Sequence, residues 1–350
     1  MNVVLVSIDG FGIGQMNDAK VKSNTWKEVN SSSTNNDFPF IKKISKEWIA
    51  LELDYKGADS YLGHLTMSGL KTNHLSLKPI SFYKKEILEI LDSENLEYEL
   101  FKGMIVAEDK FIIYDNFEAE HGLAINIAGA EDVFPFEHQL KISKQIRNII
   151  KNPRLITFTA KGVTINNYKN QAISDGDFFG INTPKSGVYN ETFKVMHLPV
   201  KNDFTQTFQH QYADKGWKVF QYGKFSNIIN FQHDNLEIFK DIHVKKIFDQ
   251  VNNNLSNKTL HCINIQQTDL AGHSSDIGKY IETLNSIDNF LEKLSKQKDT
   301  ILVISSDHGN NPALESNMHT REYVPFWTNG NKQDIKQLSE VSQYILNYLK

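Results

Sequence analysis

Three aspartates, three histidines and a serine stand in this 350-residue chain where they could hold two divalent metals beside an oxygen nucleophile. An apolar run, Val3-Val4-Leu5-Val6-Ser7-Ile8, ends in Asp9-Gly10. Asp59-Ser60-Tyr61-Leu62-Gly63-His64 follows. Far downstream come Thr268-Asp269-Leu270-Ala271-Gly272-His273, Ser305-Ser306-Asp307-His308-Gly309-Asn310 and Met318-His319-Thr320-Arg321-Glu322. Carboxylate and imidazole suit manganese or zinc, and two such ions can clamp an in-line phosphoryl displacement.

Taken singly, each residue has a plainer reading. Asp-Gly after a strand is often only a turn. Asp269 with His273 four residues on could be a helix cap followed by a surface histidine. Ser60 alone is more often a turn or cap residue than a nucleophile, because a seryl hydroxyl needs activation by a base or metal. Lys224, in Tyr222-Gly223-Lys224, could hold a phosphate or simply be solvated. Asp307-His308 is stronger, since adjacent Asp and His at a strand end can reach one metal or two neighbouring ones. The order of all these groups, each near a predicted strand end or loop, argues against chance.

The elements that must position them read as α/β. Asn2–Ile8, Trp217–Tyr222, Leu260–Ile265 and Thr300–Ser305 are short apolar runs, as in a parallel sheet buried on both faces. Helical patterns follow most of them, clearest over Lys279–Lys296 and again over Asp334–Leu349. Ligands of open α/β sheets bind beyond the carboxyl ends of strands, where Asp9, Asp269 and Asp307 all fall. The expected fold is a doubly wound core, residues 1–95 plus 211–350, with an inserted α+β cap at 96–210. The cap carries strands Phe111–Tyr114 and Leu155–Ala160, a helix Pro135–Ile150 and a loop Asp175–Asn190. None of the proposed metal ligands lies in it.

Composition sets the outer limits. The chain is 40% hydrophobic and 23% charged, enough apolar content for a globule. A net charge of −4 offers no field for nucleic acid or anionic membrane. Cys262 is the single cysteine, in an apolar run, and reads as a buried structural thiol. No run approaches a membrane span and no secretory leader pattern opens the chain, so a cytoplasmic protein is expected.

The order Asp9, Ser60-x-x-Gly63-His64, Asp269-x-x-Gly272-His273, Asp307-His308-Gly309-Asn310, His319 resembles the alkaline phosphatase superfamily, and within it the phosphopentomutases. Asp9-Gly10-Phe11-Gly12-Ile13-Gly14 with Asp18-Ala19, Gly223-Lys224-Phe225-Ser226-Asn227-Ile228, and Asp307-His308-Gly309-Asn310-Asn311-Pro312 leading to His319-Thr320-Arg321-Glu322-Tyr323-Val324-Pro325 carry the narrower resemblance. Ile127–Val133 resembles a cap segment of the same family. The resemblance implies one metal held by Asp9, Asp307 and His308 and contacted by Ser60. It implies a second held by Asp269, His273 and His319, with Ser60 as the phosphorylated residue and a mobile cap that excludes water. Lys161, Lys224 and His64 become candidate substrate contacts.

The departures concern the substrate. Asp269 and His273 are spaced as in phosphoglycerate mutases. Leu65-Thr66 replaces Trp-Glu after Gly63-His64. The cap's Ser-Ala-Asp has no match, with Glu120-His121-Gly122 near its place. Ala160-Lys161-Gly162 stands for Ala-Arg-Pro, and Val195-Met196-His197-Leu198 for Asn-Arg-His-Asp. Lysine lacks the bidentate fork of arginine. The expectation is a phosphopentomutase-like isomerase with two divalent ions, manganese preferred over zinc or magnesium. It would move a phosphoryl group through Ser60 on a sugar phosphate or related small molecule, with ribose 5-phosphate expected to turn over poorly. The rivals are a metal-dependent phosphatase or phosphodiesterase on the same core, and a non-catalytic binding homologue.

Overall fold

The protein is described from a computed structural model covering residues 1–72, 75–118, 121–314 and 318–349. Of the positions singled out above, Glu120 lies outside these residues. The chain forms two compact units, Met1–Thr72 with Asp203–Lys350, and Asn73–Asn202. The inserted unit thus divides from the core at 73 and 202, not at 96 and 210. The helix Lys84–Ser93 falls in the difference. Its Ile87 and Leu91, four residues apart on one face, pack with Ile113, Ile127, Ile146 and Leu155 of the inserted unit. An amphipathic pattern shows that a helix has an apolar stripe, but not which sheet covers it.

In the first unit five strands run parallel in the order Leu236–Phe239, Lys218–Tyr222, Thr259–Ile265, Asn2–Ile8, Thr300–Ser305. Glu322–Thr328 continues the sheet antiparallel and pairs with Gly14–Gln15 and Ile49–Leu51. Every residue of Asn2–Ile8 and of Thr259–Ile265 is buried, as expected of strands covered on both faces. Each fully buried Val, Ile or Leu in them contributes about 1.5–3 kcal/mol. In register, Ser7 lies opposite Asn264 on one side and Ser305 on the other. The three strands therefore end together, and Asp9, the turn into the Gln267–His273 helix, and Asp307 leave the sheet at one level. The α/β core inferred from the apolar runs is the architecture found.

The second unit is a mixed sheet in the order Lys194–Pro199, Arg154–Ala160, Ala124–Ala130, Phe111–Asp115, Phe178–Ile181, Ala172–Asp175, with Met104–Ala107 and Glu99–Phe101 as a further hairpin. The helix Phe136–Ile149 buries Ile142 and Ile146 against the side of that sheet bearing Ile125, Ile127 and Leu155.

Two expectations need correction. Asp175–Asn190 is not all loop: Phe178–Ile181 pairs antiparallel with Ala172–Asp175. Gly176-Asp177 makes the two-residue turn, with Gly176 at φ +55°. The turn residues were visible, but they joined two strands. The C-terminal helix spans only Glu340–Leu346, not Asp334–Leu349. Gln337 instead bridges Glu52, and Glu340 Oε2 accepts from the Lys336 and Gln337 amides, holding that stretch extended. Among the described residues no helix is long and apolar enough to cross a membrane.

Candidate metal centre

Asp9 leaves its strand fully buried. Its Oδ2 accepts from Asn264 Nδ2 at 2.9 Å and from Lys224 Nζ at 2.8 Å. Its Oδ1 faces Ser60 Oγ at 3.4 Å and His308 Nε2 at 3.6 Å. Asp307 Oδ1 accepts from the Gly10 amide at 3.3 Å, tying the two strand ends together. Asp307 Oδ2 lies 3.4 Å from His308 Nε2 and 3.3 Å from His64 Nδ1, yet accepts no hydrogen bond. His308 Nδ1 is 3.1 Å from the Gly309 carbonyl, so this nitrogen carries the proton and Nε2 presents its lone pair. Asp9, Asp307 and His308 thus form a buried triad with ligand atoms within 4.8 Å of one another.

Asp269 and His273 lie one turn apart on the helix Gln267–His273, which places both side chains on one face. Asp269 Oδ1 accepts from Asn310 Nδ2 at 2.8 Å, and its Oδ2 accepts from Lys224 Nζ at 2.9 Å. His319 enters through the Gly309–Thr320 bridge, which sets its loop beside His308. Its Nδ1 donates to the Ala58 carbonyl at 2.9 Å. Its Nε2 lone pair then faces Asp269 Oδ1 at 3.4 Å and His273 Nε2 at 3.1 Å. Asp269, His273 and His319 make the second triad, again within 4.8 Å.

Two glycines allow this closeness. A Cβ on Gly63 would lie 2.6 Å from the Asp307 carbonyl oxygen, and one on Gly272 would lie 2.3 Å from Asn310 Cγ. Ser60 opens the helix Ser60–Met67, with Asp59 capping it through the Leu62 amide. Ser60 Oγ is 2.9 Å from His308 Nε2 and 2.7 Å from Lys224 Nζ.

The electrostatics are those of three buried carboxylates around one ammonium. Burial and the neighbouring Asp307 push the Asp9 carboxyl up to about 7, although Lys224 opposes them. Burial works against ionisation of Asp269, but Lys224, His273 and His319 outweigh it and hold the carboxyl well below the usual range. Asp307 is likewise held low, His308 and His64 overcoming its burial. Burial depresses the Lys224 ammonium, yet Asp9, Asp269 and Asp307 raise it well above the ordinary lysine value. Packed carboxylates, an Asp307 Oδ2 that no donor reaches and imidazole nitrogens converging on the carboxylates form a nitrogen and oxygen donor set that fits divalent cations.

The structure gathers Asp9, Ser60, Lys224, Asp269, His273, Asp307, His308 and His319 at one end of the core sheet. His64 is fully buried, its Nδ1 lies 2.8 Å from the Ser60 carbonyl, and its ring packs edge-on to Phe225. In this arrangement it backs Asp307 and Ser60. Lys161 belongs to the other unit, exposed after the Arg154–Ala160 strand, with its amide donating to Thr192 Oγ1 at 2.9 Å.

Several supporting groups lie outside the predicted set. Asn264 and Asn310 orient Asp9 and Asp269. Arg321 holds Asp18 through both carboxylate oxygens and binds the carbonyls of Leu53, Tyr55 and Gly57, fixing the segment that runs into Ser60. Buried Glu322 accepts from Ser23, Thr25 and Thr320. The signal for Asn310, Arg321 and Glu322 was their place in the quoted motifs. For Asn264 there was none, since its strand also buries the polar Thr259 and His261.

The chain is 25% identical, over an alignment 403 positions long, to a phosphopentomutase of Clostridium kluyveri, covering 99% of this chain and 95% of that one. It is 26% identical over 306 residues to a phosphopentomutase of Clostridioides difficile, covering 79% and 70%. The fold matches a phosphoglycerate mutase structure from Leishmania mexicana with a TM-score of 0.52 at 12% identity, over 99% of this chain and 95% of that one. The family model of the Metalloenzyme superfamily matches residues 1–349, and the chain belongs to that superfamily.

Proposed function

We propose that this protein is a dimetal phosphotransferase of the mutase type, in which Ser60 carries a phosphoryl group between positions of a small phosphorylated sugar or related compound. The observation that carries this reading is the position of Ser60 Oγ, 2.9 Å from His308 Nε2, 3.4 Å from Asp9 Oδ1 and 2.7 Å from Lys224 Nζ. One ion would be held by Asp9, Asp307 and His308 and the other by Asp269, His273 and His319, manganese being the metal proposed. When bound, such ions supply charge that neutralises phosphoryl oxygens and lowers the pKa of an adjoining hydroxyl.

The chain's own groups do the rest. Ser60 stands at the first position of its helix, the end whose partial positive charge favours an anionic phosphoryl group. Lys224 donates to Ser60 Oγ, as it would to a phosphoryl oxygen beside it. His64 donates to the Ser60 carbonyl and holds the backbone from which Oγ projects. In the step, the Ser60 Oγ–phosphorus bond forms as the substrate's oxygen–phosphorus bond breaks, and the serine proton passes to the departing oxygen. Reversal at a second oxygen gives the isomer. The likeness to phosphopentomutases over nearly the whole chain supports a mutase over a hydrolase.

The test is a screen of manganese-loaded protein over phosphorylated sugars, scoring isomer and free phosphate together. Isomer without stoichiometric phosphate is expected. Phosphate release with no isomer from any substrate would assign a phosphatase instead.

A further inference from the structure

We propose that Lys224 is the internal counter-ion of the metal-free centre, bridging the two triads, and that it leaves Asp9 and Asp269 when divalent ions bind. This rests on the dimetal reading above and adds a coupling to it: the ammonium becomes available to a phosphoryl group only in the metal-loaded protein.

The geometry carries it. Lys224 Nζ is 2.8 Å from Asp9 Oδ2, in the first triad, and 2.9 Å from Asp269 Oδ2, in the second. These are charge-assisted hydrogen bonds on carboxylates a cation would need: Asp269 Oδ2 also lies 3.5 Å from His273 Nε2, whereas Asp9 turns its other oxygen, Oδ1, towards His308, and metal–carboxylate bonds are shorter still, about 2.0–2.2 Å. The ammonium and a metal repel one another across a site whose carboxylates are almost wholly buried, with Asp9 and Asp307 at 0% and Asp269 at 3% exposure. The two occupancies therefore compete. The third contact of Nζ, Ser60 Oγ at 2.7 Å, is uncharged and does not enter that competition. Gly223 sets the lysine at the start of the short helix Lys224–Ile228, where its amide lies 3.4 Å from Asn264 Oδ1, so the side chain pivots about a fixed backbone. Charge points the same way. Three carboxylates exceed one ammonium, whereas two divalent ions with that ammonium leave an excess of positive charge that a phosphoryl dianion balances.

The test is a brief acetic anhydride pulse on the intact protein, with and without saturating manganese chloride, read lysine by lysine by peptide mass spectrometry. Manganese binding is checked in parallel by calorimetry. Labelling of Lys224 should rise about tenfold with manganese, the equivalent of about 1.4 kcal/mol, while exposed Lys215 stays unchanged. Lys224→Met should bind manganese about tenfold more tightly than wild type and melt at a lower temperature when metal-free. Bound manganese with unchanged or slower Lys224 labelling overturns the counter-ion proposal alone. A wild-type protein that binds no manganese overturns the dimetal reading, and this proposal with it.

Discussion

At the scale of single residues, Asp307 carries the largest structural burden. One oxygen joins the two strand ends through the Gly10 amide, and the other is buried without an acceptor role. Asp307→Ala should abolish activity and strip at least one equivalent of metal, measured by elemental analysis of purified protein; full metal occupancy would count against its role as a ligand. The chemistry-bearing aspartates and histidines were legible because strand ends gather in an α/β sheet, so Asp9, Asp269 and Asp307 could be placed from apolar runs alone. For His64, sequence position shows nearness to Ser60 but not which way a ring on the helix turns, here towards Asp307 and the Ser60 carbonyl. Asn264 was passed over because a buried asparagine in a strand has no pattern that marks it as a partner of Asp9.

At the scale of elements, the Ser60–Met67 helix depends on Gly63. A methyl there would meet the Asp307 backbone at 2.6 Å and its Cβ at 2.7 Å. Gly63→Ala should cost about 1–3 kcal/mol, as overpacking does, and should lower kcat more than it lowers the melting temperature would suggest, because the helix that moves carries Ser60. In the second unit, Asp115 staples two segments, accepting from the Ile80 amide at 2.7 Å and from the Phe179 amide at 2.9 Å. Burial nevertheless outweighs these bonds and raises its carboxyl to about 6. A carboxyl whose folded pKa exceeds its unfolded one binds its proton more tightly when folded. Its contribution is therefore greatest below about pH 4 and is lost as pH rises towards 6. Between pH 4 and 6.5, Asp115→Asn should flatten a downward component of the stability curve followed by urea unfolding; an unchanged slope would show that Asp115 does not titrate there. The hairpin at Ala172–Ile181 shows why such elements were only partly legible. Short strands joined by Gly and Asp look like loop until their pairing partner is known.

At the scale of the molecule, two compact units separate a core whose ends meet in the metal centre from an inserted unit that holds none of the six proposed metal ligands. The insertion was visible as a break in the strand–helix alternation. Its limits were not, since Lys84–Ser93 has the composition of a core helix and the contacts of the insert. Substrate choice is a separate matter from the centre. With Lys161 where the resembling motif has arginine, a phosphate would lose a bidentate partner, worth about 1.5–3 kcal/mol for each charged hydrogen bond. The manganese-loaded protein should therefore turn over ribose 5-phosphate poorly. A kcat/KM of about 10⁴ M⁻¹s⁻¹ or more would show the substitution to be immaterial.

The central claim is that Ser60 accepts the phosphoryl group between two metal triads. Manganese-loaded protein treated with a sugar bisphosphate and digested for mass spectrometry puts it to the most direct test. The account predicts one phosphate, on Ser60, absent from a folded, metal-replete Ser60→Ala protein. Phosphate found instead on Thr66 or Ser68, or a Ser60→Ala protein that still forms the phosphoenzyme, would contradict it.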